Sequence, residues 1–135
     1  MIRIYALVKG EQDIPLITKQ FQYDNHSEEI FLAGVQMVKK RLANNLKINL
    51  NETLLFYCAY IVSELRSGKT VSTIQKNVHR LLSPDKVMIG VPESIQRIVF
   101  DVNIDNKLKE TVKFEEPIQI SEYILVPKID DDEKC

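Results

Sequence analysis

A chain of 135 residues and 15.6 kDa has the length of one domain with appendages and leaves no room for a second core. Its 44% hydrophobic and 27% charged residues are those of an ordinary globular protein, which excludes disorder as the default state. A formal net charge of −1 gives no long-range field to draw in nucleic acid or an anionic membrane, and no apolar run approaches the roughly 18–20 residues of a bilayer span.

The N-terminus does not read as a secretory signal, because Arg3 and Lys9 interrupt it and Glu11 and Asp13 follow at once. Of the two cysteines, Cys58 lies inside the apolar run Leu54–Val62 and reads as a small core side chain, and Cys135 reads as an exposed terminal thiol. A disulfide framework would want more cysteines at loop positions, so the expected compartment is the reducing cytoplasm.

In chain order, Ile2, Ile4, Ala6 and Val8 alternate with Arg3 and Tyr5, a period of two that predicts a strand ended by Lys9-Gly10. Residues 11–26 carry no clean period and read as a connecting arm with a short strand near Ile17–Tyr23. Ser27 is expected to cap a first helix, with Glu28 and Glu29 in its first turn and Lys39-Lys40-Arg41 in its last. Phe31, Val35, Val38 and Leu42 give that helix one apolar stripe, and Asn44-Asn45 stop it.

A second helix is expected from the cap Asn51 through Glu52 to about Ser67, stopped by Gly68. Its middle, Leu54 to Val62, is apolar nearly all round, which predicts a central helix that organises the core. A third helix is expected over about Val71–Leu82, capped by Thr70, with Val71, Ile74, Val78 and Leu81 on one stripe. A short fourth begins with Ser83 as cap and Pro84 in the first turn and is stopped by Gly90.

The period then changes to two. Ile98, Phe100, Val102 and Ile104, a turn at Asp105-Asn106, and the return through Leu108, Glu110, Val112 and Phe114 predict an antiparallel hairpin. Ile118–Val126 reads as a further strand, and Asp130 to Lys134 as a disordered acidic end. The expected fold class is α+β: about four helices around a buried central helix, followed by the hairpin. The 1–8 strand and the tail after Pro117 are expected to join that hairpin in one sheet or to reach a neighbouring subunit. The chain divides into an N-terminal strand and arm (1–26), a domain over 27–118, and a C-terminal strand and acidic tail (119–135).

Chemistry is sparse. Ser67-Gly68-Lys69-Thr70 matches the end of a phosphate-binding loop, but Ser63 stands where the first glycine is needed and a helix precedes it, so it reads as a helix stop and the next cap. His26 and His79 have no metal-ligand spacing with each other or with Cys58 and Cys135. Glu28-Glu29, Glu115-Glu116 and Asp130–Glu133 read as solvated charge rather than general acid–base pairs. Lys39-Lys40-Arg41 is too short for a nucleic-acid patch. No residue is nominated as catalytic, cofactor-binding or metal-ligating, and the chain reads as one whose surfaces are functional.

Several stretches resemble the urease gamma subunit family. Arg41-Leu42-Ala43-Asn44-Asn45-Leu46-Lys47-Ile48-Asn49 is similar to its R-L-A-x-G-L-K-L-N signature, and Gly68-Lys69-Thr70-Val71 to its G-K-T-V. Leu81 to Ile95 is similar to its V-L-T-x-x-x-V-M-x-G-V-P-E-M-I, and Glu116-Pro117-Ile118 to its closing P-I. The likeness is co-linear over about residues 27–118. Asn45 stands where the family has Gly, Asp105-Asn106 replaces its Asp-Gly hairpin turn, Ser94 replaces a Met and Phe114 a His. The resemblance implies a non-catalytic subunit of the nickel enzyme that hydrolyses urea to ammonia and carbamate. It implies packing against alpha and beta subunits in a trimer of heterotrimers or higher assembly, with the nickel in the alpha subunit and no cofactor in this chain. Two other readings stand beside it: a stand-alone interaction module on the same scaffold, and an independent small enzyme or nucleotide binder using Gly68-Lys69-Thr70.

Overall fold

The computed structural model describes residues 2–9, 15–23 and 28–119. The elements run β1 (Ile2–Lys9), β2 (Pro15–Tyr23), α1 (Glu28–Ala43), α2 (Leu50–Arg66), α3 (Val71–Asn77), α4 (Val91–Ser94), β3 (Arg97–Ile104) and β4 (Leu108–Glu115). Two single-turn 3-10 helices, Val78–Arg80 and Pro84–Lys86, lie between α3 and α4. The architecture is α+β, with helices packed on one four-stranded antiparallel sheet of order β2-β1-β3-β4.

The sheet follows from two alternating sequences brought into register. β1 pairs with β3 from Ile2↔Ile104 to Lys9↔Arg97 without a shift, and β3 pairs with β4 from Arg97↔Glu115 to Ile104↔Leu108. Ile4 therefore lies beside Val102, Ala6 beside Phe100, and Phe100 beside Val112. Residues directly opposite each other share a face, so the apolar members of three strands form one continuous surface. Ile2, Ile4, Ala6 and Val8 are fully buried in the same cluster as Ile98, Phe100, Val112 and Phe114. The N-terminal strand thus joins the hairpin in one sheet, between it and β2. Ile118 is buried beyond the end of β4, and neither it nor Gln119 lies in a strand; residues 120–126 of the expected strand lie outside the described residues.

α2 occupies the centre, as its all-round apolarity predicts. Leu54, Tyr57, Cys58 and Ile61 are fully buried. The Tyr57 ring meets Phe114 edge-on at 5.3 Å between centroids, and Phe114 meets Phe100 the same way at 5.3 Å, so an aromatic column runs from helix to sheet. Each such pair adds about 0.5–1.5 kcal/mol beyond the area it buries.

The cap of α2 is Asn49, two residues before the expected Asn51. The Asn49 side chain accepts the Glu52 N–H at 2.8 Å, and the Glu52 carboxylate accepts the Asn49 N–H at 2.9 Å. That reciprocal box needs an acid three residues after the cap, which Asn49 has in Glu52 and Asn51 lacks. Glu52 also meets Arg41 at 3.1 Å, tying the start of α2 to the end of α1. Both helices close as expected. Asn45 (φ 60°) and Gly68 (φ 85°) take the left-handed conformation, and Leu46 N–H returns to the Arg41 carbonyl as Lys69 N–H does to that of Glu64. The expected cap Ser27 lies outside the described residues.

Two expectations after α2 are corrected. The third helix keeps α-helical bonding only to Asn77 and tightens to a 3-10 turn over Val78–Arg80, because Pro84 forces Ser83 into extended backbone (φ −99°, ψ 162°) and the helix must finish before it. Gly90 does not stop a helix: at φ 93° it opens α4, with Pro92 in the first turn. The turn at Pro84–Lys86 is 3-10, and the Ser83 hydroxyl bonds the Asp85 carboxylate rather than a helix N–H, which holds that carboxyl below its usual range.

Candidate functional site

The polar residues with the best motif credentials are engaged in structure. Gly68 and Lys69 donate their N–H groups to the Leu65 and Glu64 carbonyls, so these two groups are turned into the end of α2 and away from any phosphate. The Thr70 hydroxyl accepts the Thr73 N–H at 3.2 Å and caps α3. The expected reading of this stretch, helix stop followed by helix cap, describes the geometry. Cys58 is wholly enclosed, and burial pushes its thiol well above the ordinary range, so no thiolate nucleophile is on offer. His79, Glu115 and Glu116 are exposed; His26, Cys135 and Asp130–Glu133 lie outside the described residues. Among the described residues no three His, Cys, Asp or Glu side chains come together as a metal ion would require.

What the fold does present is apolar surface at two places. α1 buries Phe31, Val35 and Val38, and Gly34 lets its backbone approach α2, where an added Cβ would meet Leu55 Cδ2 at 3.3 Å. A second stripe, Ile30, Ala33 and Met37 at i, i+3 and i+7, points to solvent, with Ile30 71% and Met37 66% exposed. Leu32 is also exposed.

The second place is a pair of loops tied by backbone bonds. Ile48 N–H donates to the Lys86 carbonyl at 3.1 Å and Met88 N–H to the Ile48 carbonyl at 2.9 Å, a parallel bridge that buries Ile48 and Val87. The bridge fixes Leu46, Met88 and Ile89 outward, and Ile89 is 88% exposed. A single exposed Leu or Ile is ordinary, but groups of large apolar side chains on a helix face and a braced loop are what subunit contacts bury. Each would contribute on the order of 1.5–3 kcal/mol on full burial. Periodicity did not single these residues out; the available signal was the second stripe beside the buried one on α1.

The family model of the urease gamma subunit matches residues 23–118. A curated relative, urease subunit gamma of Halalkalibacterium halodurans, is 34% identical over 90 residues, covering 67% of this chain and 88% of the relative. The chain belongs to the urease gamma subunit family. It is accordingly a structural subunit of urease, part of a hydrolase complex built with other urease subunits.

Where the chain departs from the gamma pattern, the geometry accommodates the change. Asn45, Asp105 and Asn106 all hold positive φ, the conformation that Asn and Asp tolerate best after Gly. Ser94 donates its hydroxyl to the Gly90 carbonyl at 2.7 Å within α4. Phe114 sits in the aromatic column, and the hydroxyl of its neighbour Tyr57 is buried with no hydrogen-bond partner among the described residues. β1 and nearly all of β2 precede the gamma match, yet β1 lies inside the sheet. No helix among the described residues is long and apolar enough to cross a membrane.

Proposed function

We propose that this chain is the gamma-type subunit of a cytoplasmic urease and packs against alpha-type and beta-type chains in a trimer of heterotrimers or a higher assembly. Its partners are these proteins, not nucleic acid or membrane. The observation that carries the reading is the apolar surface held outward by α1 and by the tied loops on a chain of this family. The nickel pair that hydrolyses urea to ammonia and carbamate belongs, in this reading, to the alpha chain. The described residues here offer no ligand set that fits such a pair, so no step of the hydrolysis is assigned to them.

Co-expression with alpha-type and beta-type chains, followed by mass determination of the intact assembly, tests this. A stoichiometric complex that turns over urea, beside an inactive isolated chain, is the expected result. A stable monomer that never co-purifies with an alpha-type chain would establish the stand-alone module instead, and urea turnover by the isolated chain would end the non-catalytic reading.

A further inference from the structure

Among the described residues β4 is the last strand on its side of the sheet, and an open strand edge is a template on which another chain can pair. Glu116 N–H turns toward β3, to the Gln96 carbonyl, and the backbone groups of successive strand residues point to opposite sides. Lys109, Thr111, Lys113 and Glu115 therefore direct their N–H and C=O groups away from β3. Side-chain charge does not close this edge. Antiparallel pairing of two copies centred on Val112 would set Lys109 against Glu115 and Lys113 against Thr111, with no like charges directly opposed.

Helix α3 closes it instead. Ile74 is fully buried and seats the helix, and the Thr70 hydroxyl caps its start. Val71 and Gln75, four residues apart, share one side of it, and both lie at β4. Val71 borders the same hollow as Glu110 and Thr111. The Gln75 side-chain carbonyl accepts the Lys113 N–H at 2.8 Å, the bond that a neighbouring strand would otherwise make. With Lys113 taken from the outward row, the stretch Lys109–Thr111 that remains before it is shorter than a usual strand.

We propose that α3 is an edge guard, with Gln75 standing in for the missing neighbour strand, and that it keeps the β4 edges of two copies from joining into one continuous sheet.

Gln75→Leu and Gln75→Glu, each in the full chain, test this. Gln75 is half-buried, and both replacements are good helix formers of similar size. Glutamate can still accept the Lys113 N–H and leucine cannot. In dilute solution the Leu variant is expected to exchange its Lys113 amide about tenfold faster than the parent chain. At higher concentration it is expected to self-associate about tenfold more tightly than the parent in sedimentation velocity. The Glu variant keeps the parent's exchange and association. Adding Thr111→Pro, which removes an outward N–H without touching the ladder to β3, is expected to abolish the extra association. Unchanged Lys113 exchange in the Leu variant, or association no tighter than the parent's, overturns the proposal. Extra association that survives Thr111→Pro assigns it to the apolar surface of the new leucine and overturns the proposal equally.

Discussion

Helices α1 and α2 have nearly the same length, 16 and 17 residues, and pack directly on one another. They use their apolar residues in opposite ways. α2 spends Leu54, Tyr57, Cys58 and Ile61 on the core, where the sheet surrounds them from below. α1 spends Phe31, Val35 and Val38 there but turns Ile30 and Met37 outward. The same residue types thus hold the fold together in one helix and remain unburied in the other. An apolar side chain left in water on a rigid helix contributes nothing to the isolated fold, and its use must be sought in what covers it.

Substitutions sharpen this contrast, beginning with the core. Phe100→Ala removes one end of the aromatic column and is expected to cost about 3–5 kcal/mol, a large share of the roughly 5–15 kcal/mol that holds a domain folded. Urea unfolding of the isolated chain reads it as a fall in midpoint. A loss under about 1 kcal/mol would show that the column is not the core.

Tyr57→Phe keeps the ring and deletes a buried hydroxyl that has no hydrogen-bond partner among the described residues. It is expected to raise stability, by about 1–3 kcal/mol, since the desolvation of that group is no longer required. A decrease on the same unfolding curve would reveal a hydrogen bond to this hydroxyl in solution. Asn49→Ala breaks the reciprocal cap of α2 and is expected to cost about 1 kcal/mol, seen as a lower melting temperature, whereas Asn51→Ala should change little.

These cases mark what was legible in the sequence. The central helix, the hairpin and the N-terminal strand were readable because their apolar residues keep a strict period, and burial enforces that period in Ile2, Ile4, Ala6 and Val8 as in Ile98 and Phe100. The cap of α2 is hard to place from sequence because two Asn residues lie two apart and only the partner Glu52 distinguishes them. Gly90 looks like a stop in the sequence because a left-handed glycine at a helix boundary is commoner after a helix than before one. The strand order β2-β1-β3-β4 depends on contacts between residues a hundred positions apart, which no local pattern encodes. The candidate contact residues Ile30, Met37, Met88 and Ile89 were hidden for a related reason: composition records that a side chain is apolar, not which way a loop or helix turns it.

The central claim is that the outward apolar residues dock partner subunits without supporting the fold. Met37→Glu and Ile89→Glu, combined in the full chain and co-expressed with alpha-type and beta-type chains, address it most directly. The account predicts unfolding within about 0.5 kcal/mol of the parent chain and loss of this subunit from the purified assembly by intact mass. An assembly that retains the doubly substituted chain at full stoichiometry would contradict it.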